Sequence, residues 1–232
     1  MTRRILACGG EQLLYPSLTE YALSFVQRAR PRVLLVPTAS GDDASLLLSF
    51  YRAFAGFACE PAHLALFDRT VDDIDELLRS QDLVIVGGGN TANMLAIWRL
   101  HGVDRALRAA YASGVALSGW SAGCICWFEA GITDSFTKDL GPLHDGLAVL
   151  SGSACPHYDS EGRRRPVYTG AVKDGFVPGI ALEDAVVARY DDERLVEIVS
   201  ARPDGRAFAV GADGERPLEV RALAPSARMK II

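Results

Sequence analysis

Short apolar runs separated by amphipathic stretches fill the first half of the chain, and no other feature restricts the fold as much. Ile5 to Cys8, Val33 to Pro37, His63 to Phe67, Leu83 to Val86 and Val115 to Ser118 are rich in Val, Leu and Ile. They are apolar on both sides of the pleat, so both faces must be covered, as in a parallel sheet. Between them, Leu18 to Arg28, Ala44 to Phe57, Val71 to Leu78, Ala92 to Leu100 and Val103 to Ala112 carry helical periodicity. Strand and helix in alternation specify an α/β chain, a three-layer, doubly wound and mostly parallel sheet with right-handed crossovers. Sites in such sheets lie at the carboxyl ends of the strands. Those ends read Gly9-Gly10, Thr38-Ala39-Ser40-Gly41, Gly87-Gly88-Gly89-Asn90-Thr91 and Gly119-Trp120-Ser121.

After Asp184 the pattern changes. Ala185 to Tyr190, Leu195 to Val199, Ala207 to Val210 and Leu218 to Ala222 are β-like and separated by turn signals such as Pro203-Asp204-Gly205. They are expected to be antiparallel strands that extend or flank the sheet. No linker or repeat divides the chain, so residues 1–232 are read as a single domain, long enough to bury roughly 70% of its unfolded surface. A formal net charge of −5 gives no electrostatic reason to expect nucleic acid or an anionic membrane as partner. The apolar run after Arg3-Arg4 is too short for a signal peptide, and nothing approaches the ~20 residues of a membrane span. Five cysteines without a framework spacing suit free thiols in a cytoplasmic protein. No metal-ligand spacing is present, and no metal or cofactor is expected.

Gly119-Trp120-Ser121-Ala122-Gly123 has the form Gly-x-Ser-x-Gly, in which a sharp strand-to-helix turn exposes a strained serine. Gly114 to Ser118 supplies a strand before it, and Ala122 to Glu129 a helix after it. Ser121 is thus the candidate nucleophile, with the Ala122 amide and the helix dipole available to an oxyanion. Cys124 and Cys126 read as core residues of that helix.

A serine nucleophile needs a general base, usually histidine. His63 opens a buried strand and His101 sits at a helix end, which leaves His157, in Cys155-Pro156-His157-Tyr158, ahead of the loop residue His144. The acid stays open. Asp134, Asp139 and Asp145 lie between Ser121 and His157, whereas Glu183 and Asp184 lie downstream in an apolar run.

Leu83 to Val86 enters the Gly87-Gly88-Gly89 loop, where backbone amides can approach a ligand closely. Without the Lys-Ser/Thr of a P-loop or a dinucleotide fingerprint, nucleotide binding is weakly indicated. Gly88 or Gly89 is the expected second oxyanion donor, and Asn90 and Thr91 are expected to cap the next helix.

Taken together, Gly87 to Thr91, Gly119 to Gly123 and Pro156-His157-Tyr158 resemble the aspartyl dipeptidase (peptidase E) family of serine peptidases, to which cyanophycinases are more distantly related. That resemblance implies a fold similar to class I glutamine amidotransferases and a Ser-His-Glu triad. Ser121 would match the nucleophile and His157 the base. Glu183 would match the acid, with Asp134 its rival. Cys124 to Glu129 departs from the context of the strictly aspartyl-specific subgroup, so the chain is closer to the broader branch. Selectivity for N-terminal Asp would need a cation, which Arg163, Arg164 and Arg165 could supply, with Asn90 as a further substrate contact. The resemblance also implies a short peptide substrate and a homodimer. The other readings of these residues are a small-molecule esterase or amidase, and a non-catalytic ligand-binding module on the same fold.

Overall fold

The computed structural model describes residues 2–227. The first half runs β1 (Arg4–Cys8), α1 (Pro16–Leu23), β2 (Arg32–Val36), α2 (Ala44–Phe54), β3 (Glu60–His63), α3 (Ile74–Arg79), β4 (Leu83–Val86), α4 (Thr91–His101), α5 (Val103–Ala112) and β5 (Ala116–Trp120). The chain continues through α6 (Ala122–Ile125), β6 (Phe128–Thr133), β7 (Gly141–Leu143), β8 (Leu150–Cys155), α7 (Arg164–Lys173) and β9 (Gly179–Leu182). It closes with β10 (Val186–Asp191), β11 (Arg194–Ser200), β12 (Ala207–Gly211), β13 (Gly214–Leu218) and β14 (Arg221–Ala222).

Among the described residues these strands form two sheets. The first has eight strands in the order β14-β11-β10-β1-β5-β4-β2-β3. Its β1-β5-β4-β2-β3 half is parallel throughout, and β10 adds antiparallel to β1. Alternation along each strand sorts side chains to opposite faces. Leu6, Val33, Leu35, Leu83 and Ile85 pack with Leu18 of α1 and Phe50 and Phe54 of α2. Ile5, Leu34, Val36, Val84 and Val86 face the other way, onto Leu78, Trp98 and Leu107 of α3 to α5. The same core continues into Phe128, Leu150, Ile180 and Ala207 of the second sheet. That sheet has the order β13-β12-β9-β8-β6-β7, and its far side is covered by Tyr168 and Val172 of α7.

Helix boundaries follow local chemistry. The side chains of Asp43, Asp73 and Asn90 accept the amides of Leu46, Glu76 and Asn93 at 2.9, 2.8 and 2.8 Å, capping α2, α3 and α4. Gly102, at φ 76°, ends α4.

The mixed α/β fold and the antiparallel pairing of β10 to β13 agree with the sequence reading, but several placements differ, and β14 pairs parallel with β11 where an antiparallel strand is expected. The third strand ends at His63 instead of beginning there, because the amides of Leu66 and Phe67 turn onto the Asp42 carboxylate at 2.6 and 2.9 Å. The helix after Ser121 is a single turn and does not reach Glu129. The carbonyls of Cys126, Trp127 and Phe128 accept the amides of Leu147, Val149 and Ala148 at 2.8, 2.9 and 3.0 Å, which draws the chain into β6. The C-terminal strands do not all extend one sheet: β10, β11 and β14 do, while β12 and β13 belong to the second.

Candidate active site

β5 ends beside β1, with Trp120 in register with Cys8. The next residue, Ser121, has φ 56° and ψ −115°, a backbone state costly for any residue with a side chain. The flanking glycines are required by close packing. A Cβ on Gly119 would lie 2.4 Å from the Gly123 carbonyl oxygen, and one on Gly123 would lie 2.2 Å from that of Val86. Because α6 is only one turn long, what it offers an oxyanion is the Ala122 amide, not the dipole of an extended helix.

Three consecutive carbonyls at the end of β1 organise the site. Cys8 O accepts the Ser121 amide at 3.3 Å, Gly9 O the His157 amide at 3.2 Å, and Gly10 O the Ala185 amide at 3.0 Å. His157 follows β8 and, like Ser121, has a positive φ, 54°. Its Nδ1 lies 2.6 Å from Oδ1 of Asp184, which leaves Nε2 as the ring nitrogen available to a serine. The turn that carries these groups tolerates no side chain at Gly10, where a Cβ would fall 2.0 Å from Asp184 Oδ1 and 2.6 Å from His157 Cε1.

The expectation for the acid is therefore corrected. Glu183 is 1% exposed and points away from His157. Its carboxylate accepts the amide and Nε of Arg206, both at 2.9 Å, fastening β9 to the start of β12. Adjacent residues of an extended chain face opposite ways, so Asp184 is the carboxylate that reaches the imidazole. Asp134 is exposed and lines the depression in front of Ser121, away from the His157 hydrogen bond. Burial works to raise the Asp184 carboxyl. Hydrogen bonds from His157 and Ser160 and the charge of Arg202 outweigh it, holding the group below the ordinary carboxylate range.

The depression, about 330 Å³, is lined by Gly89, Asn90, Ser121, Asp134, Glu161 and Arg164. Of the three arginines only Arg164 reaches it. Its side chain is buried, with Nε on Glu161 at 2.7 Å and Nη1 on the Ile132 carbonyl at 2.8 Å. Arg163 pairs with Asp139 at the surface and borders an adjoining depression. Arg165 lies over the rings of Tyr158 and Phe208 and pairs with Glu215 at 2.9 Å. Asn90 is occupied as a cap, and its Nδ2 donates to the Ser135 carbonyl at 3.1 Å. The β6–β7 loop is tied to the same helix start, since Ser135 Oγ accepts the Thr91 amide at 2.8 Å. Within the glycine loop, Gly88 packs on Ser121, a Cβ there falling 3.1 Å from the Ser121 Cβ. Gly89, at φ 137°, is turned instead against the Ala39 carbonyl.

The remaining histidines have local roles. His63 Nδ1 meets the Tyr51 hydroxyl at 2.8 Å, His144 packs edge-on against Phe176, and His101 is the last residue of α4. The sequence reading passed over the framing role of Gly9-Gly10, although a glycine pair at the carboxyl end of the first strand was a visible signal.

A strained serine at the carboxyl edge of a parallel sheet, framed together with a histidine–carboxylate pair, defines an α/β protein of the serine-hydrolase class. The sequence profile of peptidase family S51 matches residues 5–198. The chain belongs to this family of serine peptidases, the peptidase E family. It is 40% identical over 215 residues to the uncharacterised peptidase YgaJ of Bacillus subtilis (strain 168), covering 90% of this chain and 92% of that one. It is 29% identical over 139 residues to a peptidase E of Shewanella denitrificans, covering 54% and 58% of the two chains. In fold it is similar to a peptidase from an acI-B1 Actinobacterium, with a TM-score of 0.73 at 16% identity over 95% of both chains. A structure from Listeria monocytogenes EGD-e described under the peptidase E name gives 0.66 at 16% identity, over 84% of this chain and 98% of that one.

Proposed function

We propose that the chain hydrolyses short peptides through a Ser121–His157–Asp184 triad and an acyl-enzyme. The observation that carries this reading is the 2.6 Å contact between His157 Nδ1 and Asp184. With Nδ1–H held by the carboxylate, Nε2 is the basic nitrogen that takes the Ser121 proton as the hydroxyl attacks the scissile carbonyl. Asp184 stays ionised and stabilises the imidazolium so formed. The tetrahedral oxyanion lies between the amides of Ala122 and Gly88. His157 then returns its proton to the leaving amine, and water repeats the sequence to release the acyl group.

Selection of an acidic N-terminal residue falls to Arg164, the basic side chain that lines the Ser121 depression. Nε and one N–H of Nη1 are already engaged, so its charge and its remaining N–H donors are what it offers a substrate carboxylate. The test is turnover of a panel of Asp-X dipeptides, other dipeptides and aryl esters by the wild-type chain and by Ser121→Ala. The expected result is peptide hydrolysis by the wild type alone, fastest for Asp-X. Aryl esters cleaved with no peptide cleaved would replace the peptidase reading with an esterase. Full peptidase activity in Ser121→Ala would remove the serine from the mechanism.

A further inference from the structure

We propose that Asp159 and Arg202, a partly buried ion pair behind the site, act as positioning residues that hold Asp184 in register with His157, an assignment that rests on the triad reading above. Asp184 sits in the short connection between β9 and β10, immediately before Ala185 at φ 61°. Its side chain is committed to His157, and its own amide donates to Asp159 Oδ1 at 2.9 Å. Asp159 lies two residues after His157. A single turn of chain thus supplies both the imidazole and the clamp on its acid, closing a ring of contacts through Asp184.

The clamp is itself held. Asp159 Oδ2 accepts Nη1 of Arg202 at 2.7 Å, so both carboxylate oxygens are engaged, and the two side chains are only 20% and 27% exposed. Arg202 is fixed in turn by Asp204 at 3.3 Å and by its own amide on Ser200 Oγ at 2.9 Å. Neither Asp159 nor Arg202 lines the depression in front of Ser121. Their route to the chemistry therefore runs through Asp184. The neighbouring Glu183–Arg206 pair does a different job, since it ties β9 to the start of β12 and touches no group of the triad. The other groups that act on Asp184 electrostatically are His157 and Arg202, with the buried thiol of Cys8 close by.

The test uses the full-length chain and a fluorophosphonate probe, whose second-order rate of labelling reports how well Ser121 is activated. Asp159→Asn and Arg202→Met are each expected to label about 10²-fold more slowly, the cost of an ångström-scale misplacement of the base. The midpoints of the acid limb of the pH–rate profile should move in opposite directions. Removing the Asp159 charge disfavours the imidazolium and lowers the midpoint, whereas removing the Arg202 charge raises it. Arg202→Lys, which keeps the charge, should keep the wild-type midpoint. Loss of packing alone would not separate the two variants in sign. If Asp159→Asn does not fold, the contrast between Arg202→Met and Arg202→Lys carries the same test. Variants that label at the wild-type rate, or midpoints that stay together, overturn the positioning role while the triad stands. A wild-type chain not labelled at Ser121 overturns the triad reading and this proposal with it.

Discussion

Gly10→Ala is the smallest change that strikes the site at its frame. The added Cβ would fall 2.0 Å from Asp184 Oδ1 and 2.6 and 2.7 Å from Cε1 and Nδ1 of His157. Non-bonded carbon atoms settle at about 3.5–4.0 Å, so the acid and the ring must withdraw by about 1 Å or more. Retreat of the backbone gives no relief. Gly9 O holds the His157 amide and Gly10 O holds the Ala185 amide, so moving the turn drags the same groups. The 2.6 Å contact between His157 and Asp184 is then broken, or Nε2 is carried away from Ser121. A 1 Å misplacement costs about 10²-fold, equivalent to about 2.7 kcal/mol of transition-state stabilisation. Stability should fall by about 1–3 kcal/mol, as for other overpacked sites. The assay is kcat/KM on the best peptide of the panel beside a thermal melt. Gly170→Ala serves as control, since a Cβ there meets nothing within 4 Å. A folded Gly10→Ala chain with unchanged kcat/KM would refute the placement of the catalytic groups around this turn.

Other expectations follow from the same contacts. Asp184→Asn should lower kcat by about 10⁴-fold, as loss of the triad acid does elsewhere, whereas Glu183→Gln should act mainly on stability; steady-state kinetics of the pair reads the difference. The folded-state pKa of Asp184 is depressed, so its contribution to stability is complete above the ordinary value of 3.8 and is lost as pH falls through the lowered value. Urea melts at a series of acidic pH values should show that part of the acid limb missing in Asp184→Asn. All five cysteines are buried, and burial pushes the thiols of Cys8 and Cys155 up to about 12. A thiol-specific chromogenic reagent should therefore find no reactive cysteine in the native chain, find all five in urea, and leave peptidase activity untouched.

The parallel half of the fold was legible because a strand buried on both faces cannot hide its composition. Leu83 to Val86 and Val103 to Ala112 lie where their residues put them. The second sheet was less legible. Glu129 and Gly131 in β6, and Ser151 and Gly152 in β8, interrupt the apolar run, and Ala122 to Glu129 reads as helix until tertiary hydrogen bonds pull it apart. The candidate nucleophile and the candidate base stand out in the sequence for different reasons. Ser121 carries a turn signature that its local backbone enforces, and His157 was reached by elimination among four histidines. The carboxylate that meets His157 was not readable. Glu183 and Asp184 are adjacent carboxylates, and which one faces His157 is decided by the pairing of β9 with β8 and β12. The arginine run had the same difficulty, because the start of α7 spreads its members over three separate environments.

The proposed chemistry depends above all on Ser121 being a nucleophile activated by His157. Reaction of the native chain with a fluorophosphonate, followed by digestion and mass mapping of the adduct, tests it most directly. One adduct per chain is expected, on Ser121, formed only slowly when His157 is replaced by Ala. An adduct on another residue, no adduct at all, or undiminished labelling of His157→Ala would contradict it.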